Sequence, residues 1–223
     1  MRASRIARRT RRQWSNMIEK LKVLIVDDHP MMRLGIAAIV NDQTDMAVAA
    51  QAGTGEEAVA EYRRSKPDVV LMDLRLPGMS GVEAIRAIRR EHPRARFVVL
   101  TTYEGDEDIH QALEAGAQGY LIKGMSPDAL VDALRRVHAG SRFLAPPVAR
   151  ALAARNPNSE LSGREREVLS LIVGGKSNRE IAAELGITEG TVKCHVTTLL
   201  DRLGVSDRTQ AVVAALQRGI VHI

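Results

Sequence analysis

Five short apolar runs alternate with helical stretches through the first 140 residues, and this alternation constrains the chain more than any other feature. The runs are KVLIVDD (22–28), MAVAAQA (46–52), VVLMD (69–73), RFVVLTT (96–102) and GYLIK (119–123). Between and after them, helical spacing covers 30–40, 54–65, 80–90, 106–115 and 126–139. Ser126-Pro127 opens the last of these as an N-cap followed by proline at the first helical position. The strands are never close enough to pair as hairpins. They must lie parallel, with helices on both faces of the sheet. The expected fold is α/β, a doubly wound five-stranded parallel sheet of flavodoxin-like order.

The alternation stops near 140. GSRFLAPPVARALAARNPNSE (140–160) carries Pro146-Pro147 and Asn156-Pro157-Asn158 and reads as a linker over 141–158 with a turn or two of helix. From Leu161 onward only helical signals remain, at 162–173, 177–185, 188–202 and 206–218. Two of these open on capping-box patterns, Ser162-x-x-Glu165 and Ser177-x-x-Glu180. The expected organisation is a basic, disordered extension over 1–20, an α/β domain over 21–140, the linker, and an all-α domain over 159–223.

The net charge of +5 suggests nucleic acid, but its distribution matters more. Residues 1–20 carry +6, residues 21–140 carry −4 and residues 141–223 carry +3. Without residues 1–16 the chain would stand at −1. Met17 directly precedes the first strand and is an alternative start of translation. The sequence has no apolar run of membrane-spanning length and no signal-peptide core, so a cytoplasmic location is expected. Cys194 is the only cysteine, which rules out an intrachain disulfide.

In open α/β sheets, ligands gather at the carboxyl ends of the strands. Asp27 and Asp28 lie at the end of the first run, Asp73 at the third, Thr101 at the fourth and Lys123 at the fifth. Three close carboxylates repel one another, and a hard divalent cation relieves this; Mg²⁺ suits a site with few carboxylates. A carboxylate can attack phosphorus to give an aspartyl phosphate. Thr101 can donate a hydrogen bond to a phosphoryl oxygen, and Lys123 can neutralise one. Taken singly, each residue also has a plain reading, Asp28 or Asp73 as a helix cap and Lys123 as half of an ion pair.

VLIVDDHPMMRLGI, PDVVLMDLRLPGMSGVEAI, VVLTTYEGDEDI and GAQGYLIK resemble, in order and spacing, the receiver domains of two-component response regulators. The resemblance implies that Asp73 accepts a phosphoryl group from a partner histidine kinase. It implies that Asp27 and Asp28 hold Mg²⁺ with Asp73 and the backbone carbonyl of Arg75. Thr101 takes the switch-hydroxyl place, Lys123 that of the phosphate-binding lysine, and Tyr120 that of the switch aromatic. Pro77-Gly78 favours a fixed turn after Asp73.

Two enzyme readings are set aside. GTGEEA (53–58) fits a dinucleotide fingerprint, but it occupies the second strand–helix turn rather than the first. Haloacid-dehalogenase-like phosphatases also use a strand-end aspartate, but need a second acid two residues later, where this chain has Arg75.

On a helical wheel, Val192, Val196, Leu199 and Leu203 share one stripe, while Gly190, Lys193, Cys194, Thr197 and Asp201 face the other way. With SNREIAAELGI before it, this segment reads as helix-turn-helix. Residues 161–215 resemble LuxR-type DNA-binding domains, and the whole chain resembles response regulators of the NarL/FixJ kind. The resemblance places Lys193, Cys194 and Thr197 against the major groove of a double-stranded operator. Thr188 is expected to cap the recognition helix, with Lys176 and Arg179 on phosphates and His195 packing to one side. Asp201 has the wrong sign for DNA and is expected to pair with Arg202 or a residue near Lys193. AVVAAL (211–216) is apolar around most of its helix and is expected to form a homodimer contact on DNA.

Overall fold

The structure, a computed structural model, describes residues 20–102, 105–154 and 161–221. The basic extension before Lys20, the alternative start at Met17 and the Asn156-Pro157-Asn158 part of the expected linker lie outside these residues.

By their contacts the described residues form two compact units, one covering 20–102 and 112–144, the other 105–111, 145–154 and 161–221. The first unit alternates β1 (Leu21–Val26), α1 (Pro30–Asp42), β2 (Met46–Ala52), α2 (Gly55–Ser65), β3 (Val69–Met72), α3 (Gly81–Glu91) and β4 (Phe97–Thr101). It continues through α4 (Asp106–Ala115), β5 (Gly119–Ile122), α5 (Pro127–His138) and β6 (Phe143–Leu144), with the first turns of α4 belonging to the second unit. The strands are all parallel, in the order β2-β1-β3-β4-β5-β6.

Strand residues alternate between faces because side chains of a pleated strand do so. Val23, Ile25, Val69, Leu71, Val98 and Leu121 pack with Ile36 and Val40 of α1 and with Leu130, Leu134 and Val137 of α5. Their neighbours Leu24, Val26, Val70, Met72, Phe97, Val99 and Tyr120 are buried on the opposite face. There α2 packs on β1 and β2 and against α3. Burial on both faces explains why these strands read as unbroken apolar runs.

The sheet has six strands, not the expected five. Phe143–Leu144 pairs with Gly119–Tyr120 and supplies hydrogen bonds along what would otherwise be the open edge of β5. A two-residue strand carries too little pattern to be read from sequence. The expected linker is also more ordered than its prolines suggested. After β6 comes the nine-residue helix α6 (Pro146–Ala154). Proline is tolerated in a first helical turn, where its missing N–H costs nothing, and the alanines carry the helix onward.

From Leu161 the second unit contains α7 (Gly163–Val173), α8 (Asn178–Leu185), α9 (Glu189–Leu203) and α10 (Arg208–Gln217). Leu161, Val168, Leu169, Ile172, Ile181, Val192, Leu199, Leu203, Ala211 and Ala215 form its core. Both expected capping boxes are present, at Ser162/Glu165 and Ser177/Glu180. A third, Ser80/Glu83, opens α3.

Candidate functional site

The chain leaves β1 toward β2 in one direction, and from β3 onward it builds the sheet in the other. A crevice forms where strand order reverses, between β1 and β3. Asp27 follows β1 and Asp73 follows β3, so the topology alone brings the two carboxylates to this crevice. The ladder continues past both strands. Asp73 N–H donates to Val26 O at 2.9 Å, and Asp27 N–H donates to Ala52 O at 3.2 Å. β3 pairs Met72 with Val99, which sets Asp73 and Thr101 within one residue of register on adjacent strands. Lys123 N–H donates to Thr101 O at 2.8 Å, fixing the exit of β5 beside them.

Asp27, Asp73 and Thr101 are buried, at 1%, 3% and 0% exposure. Buried carboxylates need partners. Lys123 Nζ lies 2.7 Å from Asp27 Oδ2 and 2.5 Å from Asp73 Oδ2, bridging them. Asp27 Oδ1 accepts the His29 N–H at 2.8 Å, and Asp73 Oδ1 accepts the Arg75 N–H at 3.1 Å. Burial pushes the Asp73 carboxyl above its usual range, against the pull of Lys123 and the Arg75 N–H. For Lys123 burial acts to lower the ammonium, but Asp27 and Asp73 outweigh it and hold it above its usual value. The Thr101 hydroxyl is buried without a hydrogen-bond partner. Tyr120 is fully buried on the same face of the sheet as Thr101.

His29 was not singled out from the sequence. It follows the two acids as the N-cap residue of α1, with Nδ1 2.6 Å from Asp28 Oδ1. Ligand atoms of Asp27, Asp28, His29 and Asp73 all lie within 4.8 Å of one another. Asp28 Oδ1 is shielded from solvent yet accepts no well-directed hydrogen bond. Three carboxylates grouped this closely, with an imidazole nitrogen beside one of them, form an oxygen-rich donor set that fits a hard divalent cation.

The GTGEEA segment has a packing explanation. Thr54 caps α2 by accepting the Glu57 N–H, and Glu57 in turn accepts the Gly53 N–H. A Cβ on Gly55 would stand 2.3 Å from Met79 O, so α2 meets the β3–α3 loop too closely for any side chain.

In the second unit, Gly186 ends α8 in the left-handed region (φ 65°), and Thr188 caps α9 by accepting the Thr191 N–H at 3.1 Å. Val192, Leu199 and Leu203 are buried, whereas Gly190, Lys193, Cys194, Thr197 and Asp201 are exposed. The Thr197 hydroxyl donates to Lys193 O at 3.1 Å, and His195 is half-buried.

Several arginines here serve the fold. Arg164 donates to Leu185 O, Arg208 to Lys176 O and Arg218 to Leu203 O. Arg202, expected beside Asp201, instead reaches buried Glu165 at 2.9 Å, because that capping carboxylate is itself desolvated and needs a cation. Lys176 lies 3.3 Å from Glu184, and Arg179 is exposed. On α10, Ala211, Ala214 and Ala215 are buried and Val213 is 48% exposed. The apolar face left over on α10 is therefore narrower than its sequence suggested, because small alanines fill the contact with the domain.

No helix among the described residues is long and apolar enough to cross a membrane. Residues 23–135 match the response regulator receiver domain family, and residues 159–215 match the bacterial regulatory proteins, luxR family. The response regulator protein VraR of Staphylococcus aureus is 39% identical over 207 residues, covering 91% of this chain and 99% of VraR. Among solved structures, the response regulator ChrA of a heme-sensing two-component system is 39% identical, with TM-score 0.54 over 90% of this chain and 98% of that one. RcsB from Salmonella enterica serovar Typhimurium, solved on promoter P1flhDC with the phosphomimetic BeF3⁻, is 25% identical, with TM-score 0.69 over 89% of this chain and 99% of that one. The chain belongs to the response regulators of two-component systems, a receiver domain joined to a LuxR-type DNA-binding domain that makes it a regulator of transcription.

Proposed function

We propose that Asp73 is the phosphoacceptor of this regulator, that a partner sensor histidine kinase supplies the phosphoryl group, and that the phosphorylated form binds its operator as a homodimer. The receiver spans 21–140 and the DNA-binding domain 159–223. The observation that carries this reading is the Lys123 ammonium bridging Asp27 and Asp73 beside the unpartnered Thr101 hydroxyl.

An Asp73 oxygen attacks the phosphorus of a kinase phosphohistidine. The new P–O bond forms as the P–N bond breaks, and the leaving imidazole nitrogen takes a proton. Asp27, Asp28 and Asp73, with the Arg75 carbonyl, would hold Mg²⁺, which when bound offsets charge on the phosphoryl oxygens. Lys123 then neutralises a phosphoryl oxygen, and Thr101 donates the hydrogen bond it lacks in this structure. Tyr120 moves with Thr101. The resulting shift is one of populations, bounded by the difference in contacts between the two states. With Arg75 where a phosphatase keeps its general acid, the site is a switch without turnover on small phosphate esters.

On DNA, Lys193, Cys194 and Thr197 meet the major groove, and Lys176, Arg179 and Thr188 meet phosphates. The dimer contact is assigned to Val213 and its neighbours on α10; RcsB has been solved as two dimers bound to two parallel DNAs. Incubation with acetyl phosphate and Mg²⁺ tests the acceptor. Intact mass should rise by one phosphoryl group in the native chain and not in Asp73→Asn; equal uptake by both would remove Asp73 from the role.

A further inference from the structure

Resting on the reading of Asp73 as phosphoacceptor, we propose that Glu56 is a positioning residue that fastens the loop carrying Asp73 and Arg75 to the first turn of α2. Two separate contacts join these segments. Glu56 Oε1 accepts the Met79 N–H at 3.0 Å. Gly55, with no Cβ, lets the Met79 carbonyl and side chain rest on the same turn, where a Cβ would stand 2.3 Å from Met79 O and 2.8 Å from Met79 Cβ.

The loop between Asp73 and Gly81 needs such a tether. It crosses from β3 to α3 through the Pro77-Gly78 turn, with Gly78 in the left-handed region (φ 73°), a conformation that glycine adopts without strain; a turn of fixed shape still needs a contact outside itself to hold its position. A Cβ at Gly78 would stand 3.0 Å from Glu56 Oε1, so the carboxylate lies directly along the turn. At its far end the loop is pinned again, because Gly81 N–H donates to Leu74 O at 3.1 Å. Thr54 and Glu57 fix the first turn of α2 from the other side, through the cap and the Gly53 N–H. Glu56 therefore connects a rigid helix start to the segment that sets where Asp73 and the Arg75 carbonyl point. The G-x-G-x-x pattern at 53–57 is a support for the acceptor loop rather than a cradle for a dinucleotide.

Outer residues that orient ligands typically change metal affinity by about 10- to 100-fold when removed. Glu56 sits one loop away, at the low end of that effect, so Glu56→Ala should raise the Mg²⁺ concentration for half-maximal phosphoryl uptake from acetyl phosphate by roughly tenfold. Glu56→Gln keeps an oxygen that accepts the Met79 N–H and should stay within about twofold of the native chain, since that bond and not the charge is what acts. Thermal midpoints of both variants should stay within about 3 °C of native, because a single exposed hydrogen bond adds little to stability.

Native half-saturation in Glu56→Ala overturns the tether. So does an equal loss in Glu56→Gln and Glu56→Ala, which assigns the effect to charge, and so does a loss that only follows the thermal midpoint. Failure of the native chain itself to take up phosphoryl would instead strike the phosphoacceptor reading beneath it.

Discussion

Replacing Lys123 with methionine keeps the aliphatic stem and removes the ammonium that bridges Asp27 and Asp73. Both carboxylates are almost fully buried, and the lysine head is buried with them. Breaking a buried pair by deleting one partner costs about 3–5 kcal/mol, because the charge left behind stays desolvated. Here each carboxylate keeps one backbone donor, the His29 N–H for Asp27 and the Arg75 N–H for Asp73. That retained hydrogen bonding places the loss at the lower end, about 3 kcal/mol. The receiver transition should then move down by roughly 10 °C. Hydrogen exchange at the β1 and β3 amides of the intact chain reads the same loss locally. Two controls follow from the electrostatics. Asp73→Asn placed on Lys123→Met removes one of two repelling carboxylates and should recover most of the stability. Millimolar Mg²⁺ should recover part of it in Lys123→Met alone. A cost below about 1 kcal/mol, the ordinary value of an exposed pair, would refute the burial argument. A double variant as unstable as the single one would refute the assignment of the cost to Asp73.

Thr101→Val swaps a buried, unpartnered hydroxyl for a methyl of similar shape. It should leave the resting receiver as stable as native or steadier by about 1 kcal/mol, while abolishing the gain in operator binding on phosphorylation; a clear loss of stability would show that the hydroxyl is satisfied. Gly81→Ala would put a Cβ 2.1 Å from Asp73 O and 2.8 Å from Leu74 Cα, both backbone atoms that cannot swing aside. It should cost about 2 kcal/mol or more and slow phosphoryl uptake, and native behaviour on both counts would contradict the packing of α3 on that loop. Arg135 holds the Asp45 carboxyl below its ordinary range through paired 2.9 Å hydrogen bonds. A depressed carboxyl contributes stability above its unfolded pKa, about 3.9, and loses it as pH falls through the folded value. Asp45→Asn should therefore melt slightly below native at pH 7, with the gap closing toward pH 3; a gap that widens in acid has the wrong sign.

Most of the sheet was legible because buried parallel strands are written as dense apolar runs. The five longer strands and the helices α1 to α5 fall within a residue or two of their sequence signals. The acids were legible for the same reason, since a charge ending such a run stands out. β6 was not, because two residues supply no period, and α6 was legible only as a turn or two of helix, because of the prolines that open it. His29 escaped because its sequence neighbourhood says nothing of where its ring turns, and only the fold puts Nδ1 against Asp28. The GTGEEA segment was rightly set aside as a dinucleotide site, but its actual role was not legible. Gly55 is required by a neighbouring loop distant in sequence, and the motif pattern does not record such a neighbour. The Glu165–Arg202 pair was likewise beyond reach, since the i,i+3 capping signal of Glu165 was visible but its second partner on α9 was not.

The central claim is that a phosphoryl group on Asp73 controls DNA binding. Operator affinity measured at fixed salt, with and without beryllofluoride and Mg²⁺, tests it in the native chain and in Asp73→Asn. The account predicts tighter binding with beryllofluoride in the native chain and no change in the variant. Equal affinity in all four conditions would contradict it and leave a DNA-binding protein whose acidic site does not act as the switch.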